Sequence, residues 1–530
     1  MSNSTLVDKK TLWYVIGASS LGTLIEWYDF YIFGTLTAII GKTFFPVENP
    51  TAQLLSGLAA FAAGFLVRPF GAIVFGRLGD IVGRKYTFLV TLLLMGISTI
   101  LIGCIPSYKD IGIWAPILVL GLRFVQGLAL GGEYGGAATY VSEHVSSENR
   151  GFYTSWIQTT ATLGLFLALA VIFYVKKGYG AAEFDAWAWR IPFWVSAILL
   201  VISVYIRLKM AESPMFSKVK SEGKASTNPL KESFGNKLNF KYVLLALFGA
   251  TMGQGVVWYT GQFYANSFIQ NTMKVADDQR TMLMLLAIAL ATPFFVVFAS
   301  WSDKVGRKWI MMGGMAIAIC SYFPIYQKML DLGDAKKKEI VADKSSKSTV
   351  IAADAKNAAD SVKTTTELSV FADGTIIKNV TGAKILSRAT LDAAVAKATT
   401  DGKIKTDEDK TKVEAAAKKV DPAKTVWLSS SNWYTLMWLV WIQIIFVTMV
   451  YGPIAAFLVE LFPTKIRYTS MSLPYHVGNG IFGGLTPFIA TALAATGYLN
   501  GLWYPIIIAG VCLVIGTLFL SNKINPDAED

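Results

Sequence analysis

Five ionisable residues stand inside long apolar stretches of this chain: Glu26, Asp29, Arg68, Arg123 and Glu133. A charge in the middle of a hydrocarbon layer is costly, so such residues face protein or water-filled cavities and mark ion and solute pathways. Glu26 and Asp29 are three positions apart and share one side of a helix. Counting from Leu12 at about 1.5 Å per residue, Glu26 lies roughly 21 Å along its span, near mid-depth. Gln126 and Glu133, seven apart, occupy nearly one face of another helix, with Arg123 at its edge. A carboxyl group in a low-dielectric pocket favours its protonated form and can load and release a proton near neutrality. A fixed guanidinium can hold a carboxylate through two parallel bonds, or neutralise an acid that has lost its proton. The pattern therefore predicts a proton-coupled site, with Glu26, Asp29 and Glu133 as proton carriers and Arg68, Arg123 and Gln126 as solute contacts. The competing reading is a set of static ion pairs between helices. It stays open for Arg68 and Glu133, because Gly127, Gly131 and Gly135 give Glu133 a close-packing face. It is weaker for Glu26 and Asp29, since a structural role needs only one of them.

The elements that must hold these residues are membrane helices. The chain has 530 residues, 53% hydrophobic and 16% charged, against about a quarter charged in soluble proteins. About twelve segments are long and apolar enough to span a bilayer: 12–40, 54–79, 86–105, 112–138, 151–175, 190–210, 241–271, 279–301, 309–330, 433–460, 470–493 and 500–521. Cys104, Cys320 and Cys512 lie in or beside them with no paired spacing and read as packing residues. The start, "MSNSTLVDKK", lacks a cleavage signal and reads as uncleaved. The net charge of +12 is not a nucleic-acid footprint. Lys and Arg gather in every second connection: Arg77, Arg84 and Lys85; Arg150; Arg207 through Lys241; Lys304, Arg307 and Lys308; Lys465 and Arg467. That asymmetry predicts a multi-pass protein of the cytoplasmic membrane, with both termini and the connector "KMAESPMFSKVKSEGKASTNPLKESF" in the cytoplasm.

Two stretches repeat: "VFGRLGDIVGRK" (74–85) and "VFASWSDKVGRK" (297–308). Each follows the second span of a six-span half, as two parallel repeats require. Within them Gly76, Asp80, Gly83, Arg84 and Lys85, then Asp303, Gly306, Arg307 and Lys308, read as a gating motif. The glycines 83 and 306 permit a tight turn, and each aspartate can accept from helix-terminal amides or arginines and latch one helix to its neighbour.

"GRLGDIVGRK" resembles the loop signature of the major facilitator superfamily. "EWYDFYIFG", "FLVRPFGAIVFGRLGD", "RFVQGLALGGEYGGAATYVSE", "RIPFW" and "RYTSMSLPYHVGNGIFGGLTPFIATAL" together resemble its metabolite:proton symporter branch. "AESPMF" is shared with sugar porters and does not discriminate. The resemblance covers nearly everything outside 331–428. It implies an all-α membrane protein of twelve helices in two six-helix halves, 1–210 and 241–330 with 427–530, joined by the connector 211–240. It also implies proton-coupled symport of organic acids, or of zwitterions such as proline and betaine.

Further solute contacts are expected on the seventh and eleventh spans. "VVWYTGQFYANSF" places Tyr259, Gln262, Phe263 and Asn266 on one side, and Gly255 and Gly261 allow that helix to bend or unwind. "LPYHVGNGIFGG" offers Tyr475, His476 and Asn479. Any of these can equally be packing residues. Residues 331–426 depart from the pattern and predict a small extracytoplasmic α+β lobe. "ELSVFADGTIIKNVTG" reads as two strands around an Asp-Gly turn, and "SRATLDAAVAKATT" and "TDEDKTKVEAAAKKV" as two polar helices. No phosphate-cradling Gly-Lys loop, metal-ligand cluster or nucleophile elbow is present in the sequence. The expectation is a monomeric transporter, not an enzyme. It needs no cofactor, uses the proton gradient, and carries a small organic solute, a carboxylate metabolite first and a compatible solute second. A transporter-like sensor reading ligands through the lobe, and a channel or uniporter, are the rivals.

Overall fold

The computed structural model of the chain describes residues 9–45, 50–354, 357–400 and 406–521. The first eight residues, read above as an uncleaved start, lie outside them. Among the described residues, eleven helices are long and apolar enough to cross a membrane. They are α2 (Ala59–Ile81), α3 (Arg84–Cys104), α4 (Trp114–Ser142), α5 (Ser147–Tyr179), α6 (Ala188–Lys209), α7 (Lys237–Thr272), α8 (Asp277–Val305), α9 (Arg307–Gly333), α10 (Ser430–Leu461), α11 (Arg467–Ala494) and α12 (Asn500–Phe519). The expected first span forms α1, Lys9–Thr35. Its 27 residues are long enough to cross, but Glu26, Asp29 and its serines, tyrosines and glycines lower its mean hydropathy. Eleven rather than twelve helices thus qualify on both length and apolarity.

The chain divides into two compact units. One comprises Met1–Ala265, Leu285–Phe323 and Val440–Asp530; the other comprises Asn266–Met284 and Pro324–Leu439. In the first, α1 packs on α5, α2 and α3 on α4, and α6 on α3. Contacts α2–α11 and α5–α8 join the two repeats, and α7 packs on α11 within the second. Glycines set these distances: a Cβ at Gly127 would strike the Gly64 carbonyl, and one at Gly131 the carbonyl of Arg68. Expected as a close-packing face of α4, Gly127 and Gly131 do meet α2, whereas Gly135 faces Tyr468 and Ser472 of α11. Proline interrupts the helices at defined places. Pro69 has no amide to offer, and α2 breaks at Val67, beside Arg68. In α7 the expected bend takes the form of π-helical turns at Leu247–Thr251, Thr260–Tyr264 and Phe268–Thr272. A further π-helical stretch, Val477–Gly483, follows Pro474 in α11. Such turns expose backbone groups and recur at functional sites.

The second unit carries a four-stranded antiparallel sheet in the order β1 (Ser346–Asp354), β2 (Asn357–Val370), β3 (Ile376–Ile385) and β4 (Lys419–Trp427). Helices Arg388–Thr400 and Asp407–Lys418 lie between β3 and β4, the latter opened by a reciprocal Thr406–Asp409 capping box. Two strands were expected and four are found. β4 was hidden by Pro422, which is tolerated because the β3–β4 register shifts between Val380 and Gly382, opposite it. The sheet is also tied to the loop after α7. The Val426 amide donates to the Lys274 carbonyl (2.8 Å), and Ala276 donates back to Val426 (2.9 Å). That is why this unit reaches back to Asn266 instead of beginning at 331.

The β2–β3 turn is the one read from the Asp-Gly pair. Gly374 takes φ +84°, and Asp373 accepts from the Thr375 amide (2.9 Å), from Asn432 Nδ2 (2.7 Å) and from Lys338 Nζ. Partial burial opposes ionisation of Asp373, but the Lys338 and Thr375 bonds outweigh it and hold its pKa at about 2, against 3.8 unperturbed. A depressed carboxyl stabilises the fold fully above its unfolded value and loses that contribution as pH falls toward about 2. Asp373→Asn therefore loosens the turn at neutral pH, with amide exchange at Thr375 rising about tenfold in the full-length protein. An unchanged rate contradicts this account.

Candidate functional site

Arg68 begins the lower half of α2, where Pro69 opens the helix and Gly131 brings α4 against its backbone. Its guanidinium lies 4.3 Å from the centroid of the Phe65 ring and 5.3 Å from that of Phe30. Gly480, on the π-helical stretch of α11, packs on its aliphatic stem. The phenols of Tyr259, Tyr451 and Tyr475 lie within Coulombic range of it. Among the described residues no carboxylate comes within 4.0 Å of Arg68, and its Nε is buried without a hydrogen-bond partner. His476, in the field of the same guanidinium, has both ring nitrogens buried and unpartnered. The Trp258 indole N–H is a further buried orphan donor. Tyr475 stacks on Tyr134 at 3.6 Å, and its hydroxyl meets that of Tyr451 at 2.9 Å. Trp27, Tyr31, Trp258 and Phe263 form a contiguous ring cluster with centroid separations of 5.5–6.1 Å.

The three acids divide into two groups. Glu133 accepts from Arg207 Nη2 at 2.6 Å and from Thr91 Oγ1 at 2.9 Å. The same Nη2 lies 3.8 Å from Glu26 Oε1, which is buried without a hydrogen bond. Arg207 is itself fixed by the Phe88 carbonyl (2.6 Å) and the Phe88 ring (3.4 Å). Gly22 leaves room for it, since a Cβ there would fall on the guanidinium. Two carboxylates thus share one guanidinium away from water, and the cluster is neutral with one proton aboard. Asp29 stands apart and accepts from Ser196 Oγ at 2.5 Å. Arg123, placed with the solute contacts by sequence, donates to Gln126 (2.7 Å) and to the Phe61 carbonyl (3.0 Å), and Gln126 donates onward to Thr99 (2.8 Å). Each of its nitrogens donates to an acceptor of the protein itself.

Of the other expected contacts, Tyr259 packs on Phe65 with centroids 5.8 Å apart, and Gln262 is buried on the π-helical turn Thr260–Tyr264. Asn479 exchanges both amide bonds with Gln254 (3.1 and 2.8 Å) and so ties α11 to α7. Asn266 belongs to the second unit, where Arg280 donates to it at 2.6 Å. Arg207 and Tyr451 were not singled out from sequence. Arg207 was counted as a connector charge that orients the chain, yet it is fully buried within α6. At the end of a span, a buried arginine and an orienting one look alike.

The repeated motif builds two latches between the halves. Asp80 accepts from the Thr469 amide (2.8 Å), Thr469 Oγ1 (2.7 Å) and the Tyr468 amide (3.3 Å), so it caps the start of α11. Asp303 likewise accepts from Gly151 (2.8 Å) and Phe152 (2.9 Å) near the start of α5. Arg84 reaches Asp80 (3.1 Å) and Glu143 (3.4 Å), while Arg307 reaches Asp303 (2.5 Å) and Glu460 (2.7 Å). Arg467 approaches Glu143 (3.5 Å), and Arg150 approaches Glu460 (3.3 Å). Glu143 precedes Arg150 by seven positions, as Glu460 precedes Arg467: a second repeat, carried by the spacing in the sequence itself. Gly83 (φ +141°) and Gly306 (φ +104°) make the turns, and Gly76 lets α2 close on Thr469. Lys85 and Lys308 do not join the latch ion pairs. They donate to terminal carbonyls of the equivalent helices α6 (Leu208, 3.0 Å) and α12 (Thr517 and Leu520, both 2.8 Å).

The family described as "Sugar (and other) transporter" matches residues 15–235. The proline/betaine transporter of Escherichia coli (strain K12) is 35% identical over 325 residues, which are 59% of this chain and 64% of the relative. The chain therefore spans a little under two thirds of that relative's length. The alpha-ketoglutarate permease of the same strain is 35% identical over 317 residues, 60% of this chain and 72% of the relative. A solved structure of the major facilitator superfamily proton:xylose symporter XylE, bound to 6-bromo-6-deoxy-D-glucose, aligns over 98% of each chain with a TM-score of 0.59. At 15% identity that likeness concerns fold alone. The repeated latch, the membrane helices and the permease relative agree, and the chain belongs to the major facilitator superfamily, among its metabolite transporters.

Proposed function

We propose that the protein carries a small carboxylate-bearing solute together with protons across the cytoplasmic membrane by alternating access, with both termini cytoplasmic. The observation that carries the solute class is Arg68: a buried guanidinium with no carboxylate partner among the described residues, beside an unpartnered histidine and three phenols. Such a group binds an anionic ligand through charge-assisted bonds. The proton side rests on the two acids that share Arg207. A zwitterion such as betaine or proline is the second reading. It is favoured by the ring cluster of Trp27, Tyr31, Trp258 and Phe263, because aromatic faces receive a substituted ammonium. Uptake of labelled alpha-ketoglutarate, proline and glycine betaine into proteoliposomes, with and without an inward proton gradient, separates these readings. Gradient-independent uptake of all three contradicts proton coupling.

Within this scheme Glu26 is the labile carrier, because its Oε1 lacks a hydrogen bond whereas Asp29 has Ser196. Glu26→Gln should lower gradient-driven accumulation at least about tenfold while counterflow persists, and Asp29→Asn should do less. If both variants keep full gradient-driven uptake, neither acid couples the proton.

A further inference from the structure

We infer that Tyr468 is the positioning residue through which the charge state of the Glu26–Arg207–Glu133 cluster and the Asp80 latch act on each other. The inference rests on the proton-coupled reading above. Tyr468 is fully buried in the first turn of α11. Its amide donates to Asp80 Oδ1 at 3.3 Å, and the next residue, Thr469, supplies the two shorter bonds to the same carboxylate. Its hydroxyl crosses to the other half of the molecule and donates to the Gly132 carbonyl. Gly132 immediately precedes Glu133, the acid that holds Arg207 at 2.6 Å.

Glycines admit this side chain. A Cβ at Gly79 would fall on the ring, and one at Gly136 would stand 2.6 Å from the hydroxyl. One residue therefore has its main chain in the latch and its phenol on the backbone of the proton cluster. The charged and titratable groups facing Glu26 are Asp29 on its own helix, Glu133 from α4, Arg207 from α6 and Tyr468 from α11. α5, packed along α1, carries charged side chains only near its ends, Glu148 and Arg150 at one and Lys176 and Lys177 at the other.

The geometry gives the direction of action. With a proton on Glu26, Arg207 belongs wholly to Glu133. When that proton leaves, Arg207 is drawn between two carboxylates, and the Gly132–Glu133 segment moves with it. The phenol passes that displacement to the first turn of α11, where Asp80 either keeps or loses its grip. A packing role alone would need the ring but not the hydroxyl.

The test needs no known solute. Amide exchange at Tyr468 and Thr469 is followed in the purified full-length protein between about pH 5.5 and pH 8.5, corrected for intrinsic rates. In the wild type, protection at these amides should change with pH by about three- to tenfold, the scale of one hydrogen bond. Tyr468→Phe should flatten that dependence. Glu26→Gln, with Tyr468 retained, should hold protection at its low-pH level throughout. PH-dependent protection that survives in Tyr468→Phe overturns the inference, and so does its survival in Glu26→Gln if the Phe variant fails to fold. Proteoliposome uptake separates the two levels of argument. If Glu26→Gln abolishes gradient-driven uptake of labelled alpha-ketoglutarate or glycine betaine while Tyr468→Phe transports like wild type, only the Tyr468 inference falls. If Glu26→Gln also shows full gradient-driven uptake, the assignment of the proton to Glu26 falls with it, and if uptake by the wild type is gradient-independent the proton-coupled reading falls as well.

Discussion

Replacing Arg68 by glutamine lowers the apparent affinity for the carried carboxylate at least about a hundredfold, roughly 3 kcal/mol, measured as half-saturation in counterflow. The size follows from what the residue lacks. Other buried arginines of the bundle have committed donors: Arg207 to Glu133 and Phe88, Arg84 to Asp80 and Glu143, Arg123 to Gln126 and the α2 carbonyls. Among the described residues Arg68 meets ring faces and phenols, Tyr259 among its hydrogen-bond partners, and no carboxylate, so its Nε edge is left for a ligand. Arg68→Lys retains the charge without the planar fork and should lose about tenfold, most of it through binding and little through maximal rate. An Arg68→Gln protein with wild-type half-saturation assigns the anion elsewhere. Arg123 is then the next candidate, although each of its three nitrogens already donates to an acceptor within the protein.

The comparison of Arg68 with Arg123 shows what the sequence could and could not disclose. Both are lone cations in apolar spans, and by sequence they are equal candidates for solute contact. What separates them is the third dimension. Arg123 is three residues from Gln126 on one helix, so its partner could be guessed, but its bonds to Ala60 and Phe61 come from a neighbouring helix. The latch was more legible because repetition exposes it: "GDIVGRK" and "SDKVGRK" put an aspartate and an arginine four apart twice over. The helix starts they cap are set by the crossings α2–α11 and α5–α8, which pairing by repeat alone does not specify. Asn479 shows the converse. A polar side chain in an apolar helix resembles a solute contact, and its amide is matched by Gln254 on a helix whose pairing with α11 the sequence does not specify. The lobe was legible at its Asp-Gly turn and its capped helix. It was illegible where Pro422 hides β4 and where β4 reaches back to Lys274.

Arg307→Ala should destabilise the latched state by about 3–5 kcal/mol, the cost of breaking a buried ion pair from one side. Arg307 serves two carboxylates at once, Asp303 at 2.5 Å and both oxygens of Glu460 at 2.7 and 2.8 Å. The two acids do not suffer equally when it goes. Asp303 keeps the amides of Gly151 and Phe152 at the positive end of α5. Among the described residues Glu460 keeps Arg150, at 3.3 Å and less well placed. Most of the penalty therefore resides on Glu460, so the double variant Arg307→Ala/Glu460→Gln should recover most of the loss, and the pair should depart from additivity by more than about 1 kcal/mol. Exchange at the Gly151 and Phe152 amides reads the latch directly: a loss of about 3 kcal/mol corresponds to protection reduced roughly a hundredfold in Arg307→Ala, with most of it regained in the double variant. Equal exchange in the single and double variants would place the penalty on Asp303 instead. The latch would then be held chiefly by the capping of α5, and the arginine would serve mainly to neutralise the cap.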